Sequence, residues 1–167
     1  IVQGIMDGIS GLDAKVDMAT YEARINEMLS DRSAIVAAKE ATVSESYLKQ
    51  FDSDESIVKT ESGALVKMVE EGTGDIPTAS DTVMVHYEGS LIDGTVFDSS
   101  LQRGSPATFP LSGVIACWTE GLQKMKVGGK AQLICPADTA YGDRGMPPKI
   151  GPGATLIFEV NLLEIKK

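Results

Sequence analysis

The chain has few of the residues that covalent or metal chemistry relies on. Its 167 residues include one histidine, His86, and two cysteines, Cys117 and Cys135. A zinc site has almost no ligand set in that inventory. His86 alternates to the outer face of its strand and reads as a surface residue, which leaves no histidine for a Ser-His-Asp or Cys-His arrangement. Two cysteines are too few for a disulfide framework. They lie in apolar runs, VIACW and LICP, and read as buried free thiols rather than a bridge. No apolar run approaches the roughly 18 residues of a bilayer span, so the chain reads as water-soluble and not membrane-spanning. No basic stripe is present and the formal net charge is −9, which argues against nucleic acid as a partner. The glycines of KVGGK and GPGATL do not continue as phosphate loops and read as turns. The chain opens on Ile1 without a basic stretch and apolar core, as expected of a processed product or a trimmed piece.

Glycine and proline are both missing between Leu12 and Ser62, whereas all seven prolines lie at or beyond Pro77. That shift in helix breakers marks a boundary near Glu61–Gly63. Ahead of it, Ile1, Ile5 and Ile9 with Val2 and Met6 form a helical stripe. Asp17 or Thr20 then caps a longer helix of some 35 residues, about 50 Å at 1.5 Å per residue. Its apolar face opens with Tyr21, Ile25, Met28 and Leu29, thins between Ala37 and Ser46, and resumes at Tyr47, Leu48 and Phe51. Such a helix cannot bury its own stripes. It either folds back on the following domain or, as we favour, pairs with a second copy of the chain.

Beyond the boundary the period falls towards two. Ala64–Glu70, Thr82–Glu88, Ala107–Leu111, Lys130–Cys135 and a last run through Leu156, Phe158, Val160 and Leu162 read as strands. Within the second, Val83, Val85 and Tyr87 face one way and Met84, His86 and Glu88 the other. A short amphipathic helix falls between Val114 and Met125. The expected fold class is α+β, an antiparallel sheet wrapped on a helix, behind an all-helical N-terminal segment. Six of the nine aromatics lie in this half: Tyr87, Phe97, Phe109, Trp118, Tyr141 and Phe158. One core must hold most of them, and the two tyrosine hydroxyls need partners if buried.

VHYEGSLIDGTVFDSS, VIACWTEGLQKMKVGGK, AYGDRG and ATLIFEVNLLEI, in that order, closely resemble FKBP-type peptidyl-prolyl isomerases over Leu65–Lys166. The DGISGLDAK stretch, the long helix and ESGALVKMVEEGTG resemble the bacterial Mip/FkpA subgroup, whose first helices are expected to be missing from this sequence. The resemblance implies a half-barrel isomerase domain over residues 63–167 and a helical dimerisation or linker segment over residues 1–62. It implies a pocket with Tyr87, Phe97, Asp98 and Phe109 on one wall and Val114 and Ile115 at the entrance. Trp118 is its expected floor, Tyr141 and Phe158 its far side, and Met146 and Ile150 further substrate contacts. The Ile115 N–H and Tyr141 hydroxyl are implied donors to substrate carbonyls. Asp98 either orients Tyr87, acts on the rotating carbonyl, or serves as the acceptor of its own turn. Where the family has Pro-Gly ahead of the tryptophan, this chain has Ala116-Cys117, which bears on the loop beside Ile115. Activity is expected to survive that change.

The implied reaction is cis/trans rotation about X–Pro bonds of unfolded or partly folded polypeptides, with no metal and no cofactor. The resemblance further implies a homodimer through the N-terminal helices, chaperone activity, and inhibition by FK506/rapamycin-type macrolides. It places the chain in the periplasm, with the cytoplasm as alternative.

Overall fold

The computed structural model describes residues 18–166. The expected stripe over Ile1–Ile9 and the Asp17 cap lie outside the described residues. Helix α1, Met18–Leu48, runs for 31 residues without a breaker and closes in a 3₁₀ turn at Lys49–Phe51. Tyr47 and Phe51 meet edge to face there, 5.3 Å apart. Tyr21, Ile25, Met28, Leu29, Ile35, Val36 and Val43 are exposed along α1, whereas Ala37 and Ser44 are buried. The small middle of the helix is what touches the rest of the chain. A Cβ on Gly153 would lie 2.9 Å from the Ala37 carbonyl oxygen, so only glycine admits this approach. No helix among the described residues is long and apolar enough to cross a membrane.

Seven antiparallel strands follow: β1 Ile57–Lys59, β2 Leu65–Glu70, β3 Thr82–Leu91, β4 Val96–Ser99, β5 Ala107–Pro110, β6 Lys130–Cys135 and β7 Leu156–Lys166. Their order is β1-β2-β6-β7-β3-β4, with β5 also on β3. The long β3 runs beside β7 from Thr82↔Lys166 to Leu91↔Leu156. Its other edge is shared, β5 taking Thr82–Val85 and β4 taking Glu88–Ser90. Register shifts at Met84/Val85 and Gly89/Ser90 mark irregularities of the kind that bend a strand, and the sheet stays open. The sequence reading found every strand except β1 and β4, whose three and four residues are too short to show a period.

Helix α2, Ala116–Leu122, lies within the bend and buries Cys117, Trp118, Gly121 and Leu122. A Cβ on Gly121 would stand 2.9 Å from Leu133 Cδ2, so glycine sets how closely α2 approaches β6. Val83, Val85 and Tyr87, expected on one face, are all in the core. The expectation of free thiols is corrected: Cys117 and Cys135 form a disulfide, their Cα atoms 5.6 Å apart. They are 18 residues apart in sequence, and only the packing of α2 on β6 makes them neighbours.

Candidate active site

Trp118 stands in the first turn of α2 with its indole 4% exposed. Three rings meet it almost at right angles: Tyr87 from β3 at 5.2 Å, Phe158 from β7 at 5.3 Å and Phe109 from β5 at 5.4 Å. Phe97 of β4 packs edge-on against Phe158 at 5.6 Å. Edge-to-face contacts at these distances favour opposed quadrupoles and hold each ring in one orientation. Above the indole opens a cleft of about 750 Å³. Tyr87, Phe97, Asp98, Phe109, Val114, Ile115, Trp118, Tyr141, Met146 and Phe158 all line it.

Ile150 is the exception among the expected residues. It is 1% exposed and belongs to the core. Its backbone exchanges hydrogen bonds with Met146, at 2.8 and 3.1 Å, so it anchors the loop from which Met146 reaches the cleft. Lys149 and Gly113 line the cleft beside the expected set.

The polar edge is built around Asp98. The Tyr87 hydroxyl and the Arg103 guanidinium both donate to its carboxylate. Arg103 also donates to the Tyr87 hydroxyl at 3.0 Å, with its guanidinium carbon 5.5 Å from the Tyr87 ring centre. Burial opposes ionisation of Asp98, but the bonds from Tyr87 and Arg103 outweigh it and hold the carboxyl below its usual range. Burial, reinforced by Asp98, raises the Tyr87 phenol, which stays protonated at neutral pH and can donate. Asp98 thus holds the Tyr87 hydroxyl and also accepts a hydrogen bond from the backbone of Ser99 in its own turn. On the opposite side, Ile115 caps α2 in an extended conformation, φ −61° and ψ 150°. Among the described residues, neither the Ile115 N–H nor the Tyr141 hydroxyl has a hydrogen-bond partner. The cleft is therefore an apolar well whose neutral donors without a partner among the described residues include the Ile115 N–H, the Tyr141 hydroxyl and the buried Trp118 Nε1, with one neutralised carboxylate at its edge.

The FKBP-type peptidyl-prolyl cis-trans isomerase family matches residues 74–163, more than half of the chain. The chain belongs to that family. It is 42% identical over 168 residues to the FKBP-type 22 kDa peptidyl-prolyl cis-trans isomerase of Escherichia coli (strain K12), covering 99% of this chain and 82% of that protein. It is also 42% identical to the FKBP-type peptidyl-prolyl cis-trans isomerase FkpA of Aeromonas hydrophila, all of this chain matching 64% of that one. This chain thus spans less than two thirds of the Aeromonas relative. The crystal structure of FkpA from Escherichia coli superposes with a TM-score of 0.82 at 37% identity, over 99% of this chain and 80% of that one.

Besides Gly113, three residues in or beside this FKBP-type cleft went unread in the sequence. Arg103 and Lys149 are single cations in polar loops, with no periodicity to mark them. Gly89 sits in a strand, and a Cβ there would lie 2.6 Å from Phe97 Cζ and 2.8 Å from Phe158 Cε1. A glycine interrupting an alternating strand was the available signal. His86 stays off the cleft, its Nδ1 3.1 Å from Ser100 Oγ.

Proposed function

We propose that this cleft takes up a prolyl ring and speeds cis/trans rotation of the preceding peptide bond. The observation that carries the proposal is the open hollow above the buried Trp118 indole, walled by rings from four strands. Amide resonance opposes the rotation with a barrier of about 18–20 kcal/mol, and unaided it takes tens to hundreds of seconds. No covalent bond needs to break. What accelerates the step is binding the twisted amide better than either planar form. Twisting removes conjugation and makes the carbonyl less polar, so a dry apolar well favours it. Trp118, Tyr87, Phe97 and Phe158 hold the ring by contact while the carbonyl side turns. The Ile115 N–H and Tyr141 hydroxyl, both without partners among the described residues, donate to substrate carbonyls. Asp98 and Arg103 fix the Tyr87 hydroxyl. Phe109, Val114 and Met146 touch the flanks of the substrate.

Residues 63–167 act as the isomerase unit on this reading, with β1 joining its sheet from the preceding segment. Residues 1–62 serve as a helical arm. The exposed apolar stripe of α1 supports pairing with a second copy and holding of unfolded clients. The disulfide supports the periplasm, because stable bridges persist in oxidising compartments. The same well accepts FK506/rapamycin-type macrolides. Refolding of a proline-limited protein tests the proposal. The chain shortens the slow phase, and Trp118→Ala abolishes most of that effect. A chain that leaves the slow phase untouched yet suppresses aggregation of a denatured client is a binding module instead, the reading that the α1 stripe favours.

A further inference from the structure

The bridge between Cys117 and Cys135 joins the two sides of the cleft that carry its donors. Cys117 follows Ile115 by two residues and directly precedes Trp118. Cys135 ends β6, where it pairs with Leu156 of β7. The chain leaving it turns back towards Tyr141, with the Thr139 N–H and hydroxyl both donating to the Pro136 carbonyl, at 2.9 and 2.8 Å. One covalent bond thus ties the floor and one donor to the strand end from which the other donor departs. Little else holds the first turn of α2. The helix has seven residues, far fewer than the about 12 at which an isolated helix begins to sustain itself. Its N-cap, Ile115, makes no capping bond with its side chain. The Trp118 N–H is buried without a partner, so the indole is held by packing alone and goes where its backbone goes. Further along, Thr119 donates to the Leu111 carbonyl at 2.7 Å, and Glu120 accepts from the Ser62 N–H and hydroxyl at 3.0 and 2.8 Å. Ahead of those ties the restraint is the bridge.

We propose that Cys117 and Cys135 are positioning residues of the isomerase site: their bridge sets the height of the Trp118 floor and the spacing between the Ile115 N–H and the Tyr141 hydroxyl. The inference rests on the isomerase reading of the cleft. The bridged chain is the competent form. A dithiol that reduces it gives up two electrons and two protons, the S–S bond becomes two thiols, and the dithiol closes to a disulfide of its own. The first turn of α2 is then free to shift. Both cysteines are wholly buried, so a reductant reaches them only when the domain opens. The bridge is therefore a standing brace and not a rapid switch. Misplacing binding groups by about 1 Å can cost about a hundredfold; a floor still packed by Tyr87, Phe109 and Phe158 loses less, about tenfold in kcat/KM.

The test compares the native chain bridged, reduced by a dithiol and reoxidised with the Cys117→Ala/Cys135→Ala chain. Each acts on a proline tetrapeptide in a protease-free assay, in the cold, where the uncatalysed rotation is slow. Circular dichroism checks that each form is folded, and the double variant carries the comparison where the reduced chain is not. Reduction and the double substitution each lower kcat/KM about tenfold with a rise in KM, and reoxidation of the native chain restores both. Trp118 is the only tryptophan, so indole emission reports the floor. Its rate constant for quenching by acrylamide rises when the bridge is absent. A bridge that merely stabilises the fold changes the number of active molecules, which lowers the apparent kcat and leaves KM and quenching as they were. That pattern overturns the inference, and so does native kcat/KM in a folded chain without the bridge. Absence of turnover by the bridged chain overturns the isomerase reading, and this inference with it.

Discussion

Removing the bridge between Cys117 and Cys135 tests how α2 is held under the cleft. The perturbation is the double substitution Cys117→Ala/Cys135→Ala, which deletes the bond without leaving buried thiols. The bridge closes a loop of 18 residues. For a loop of that length the denatured chain gains conformational freedom worth about 3 kcal/mol when the link is cut. Both residues are wholly buried, so the small voids left behind add to the loss rather than relieve it. For a protein of this size 3 kcal/mol corresponds to a fall in melting temperature of about 6–12 °C. A typical stability of about 5–15 kcal/mol absorbs such a loss, so the variant stays folded at room temperature. Guanidinium unfolding of native and variant chains measures it. The midpoint falls and the denaturant slope rises slightly, because the uncrosslinked denatured chain exposes more surface. Two results refute the reasoning: an unchanged midpoint, or two free thiols titrating in denaturant alone without reductant.

Two further perturbations probe other parts of the molecule. Gly89→Ala drives a methyl into Phe97 and Phe158. It costs about 1–3 kcal/mol of stability as overpacking, and displacing the rings lowers kcat/KM by about tenfold; a folded variant with native kcat/KM in the proline-peptide assay contradicts the placement of those rings. Asp54 accepts hydrogen bonds from Ser56 and Lys67, which lower its pKa from 3.8 to about 2. A carboxyl depressed in the folded state stabilises fully above its unfolded value and less as pH falls through the folded one. Urea midpoints of the native chain therefore decline between about pH 4 and pH 2 more steeply than those of Asp54→Asn, and parallel declines would dismiss the interaction.

The strands that could be read in advance are those long enough to alternate. Thr82–Glu88 places Val83, Val85 and Tyr87 inward because successive side chains on a strand oppose one another, and no distant contact changes that. Helix α1 was likewise legible from its lack of breakers, although its buried contact is through the small residues Ala37 and Ser44 and not through its apolar ends. Of the residues expected at the cleft, Ile150 alone does not line it, because the hydrogen bonds between Met146 and Ile150 turn the loop so that one residue faces out and the other in.

What the amino-acid order determined alone is the local pattern: a breaker-free helical half, a sheet with a short helix, and aromatics at positions that alternation turns inward. What only the tertiary structure decided are the meetings between parts far apart in the chain. Cys117 reaches Cys135, Arg103 closes on Asp98 and Tyr87, and Lys149 arrives at Phe97 from 52 residues away. Periodicity is a property of neighbours along the chain and is set by backbone geometry. Proximity across a bent sheet depends on how every strand is placed, and no single segment contains it.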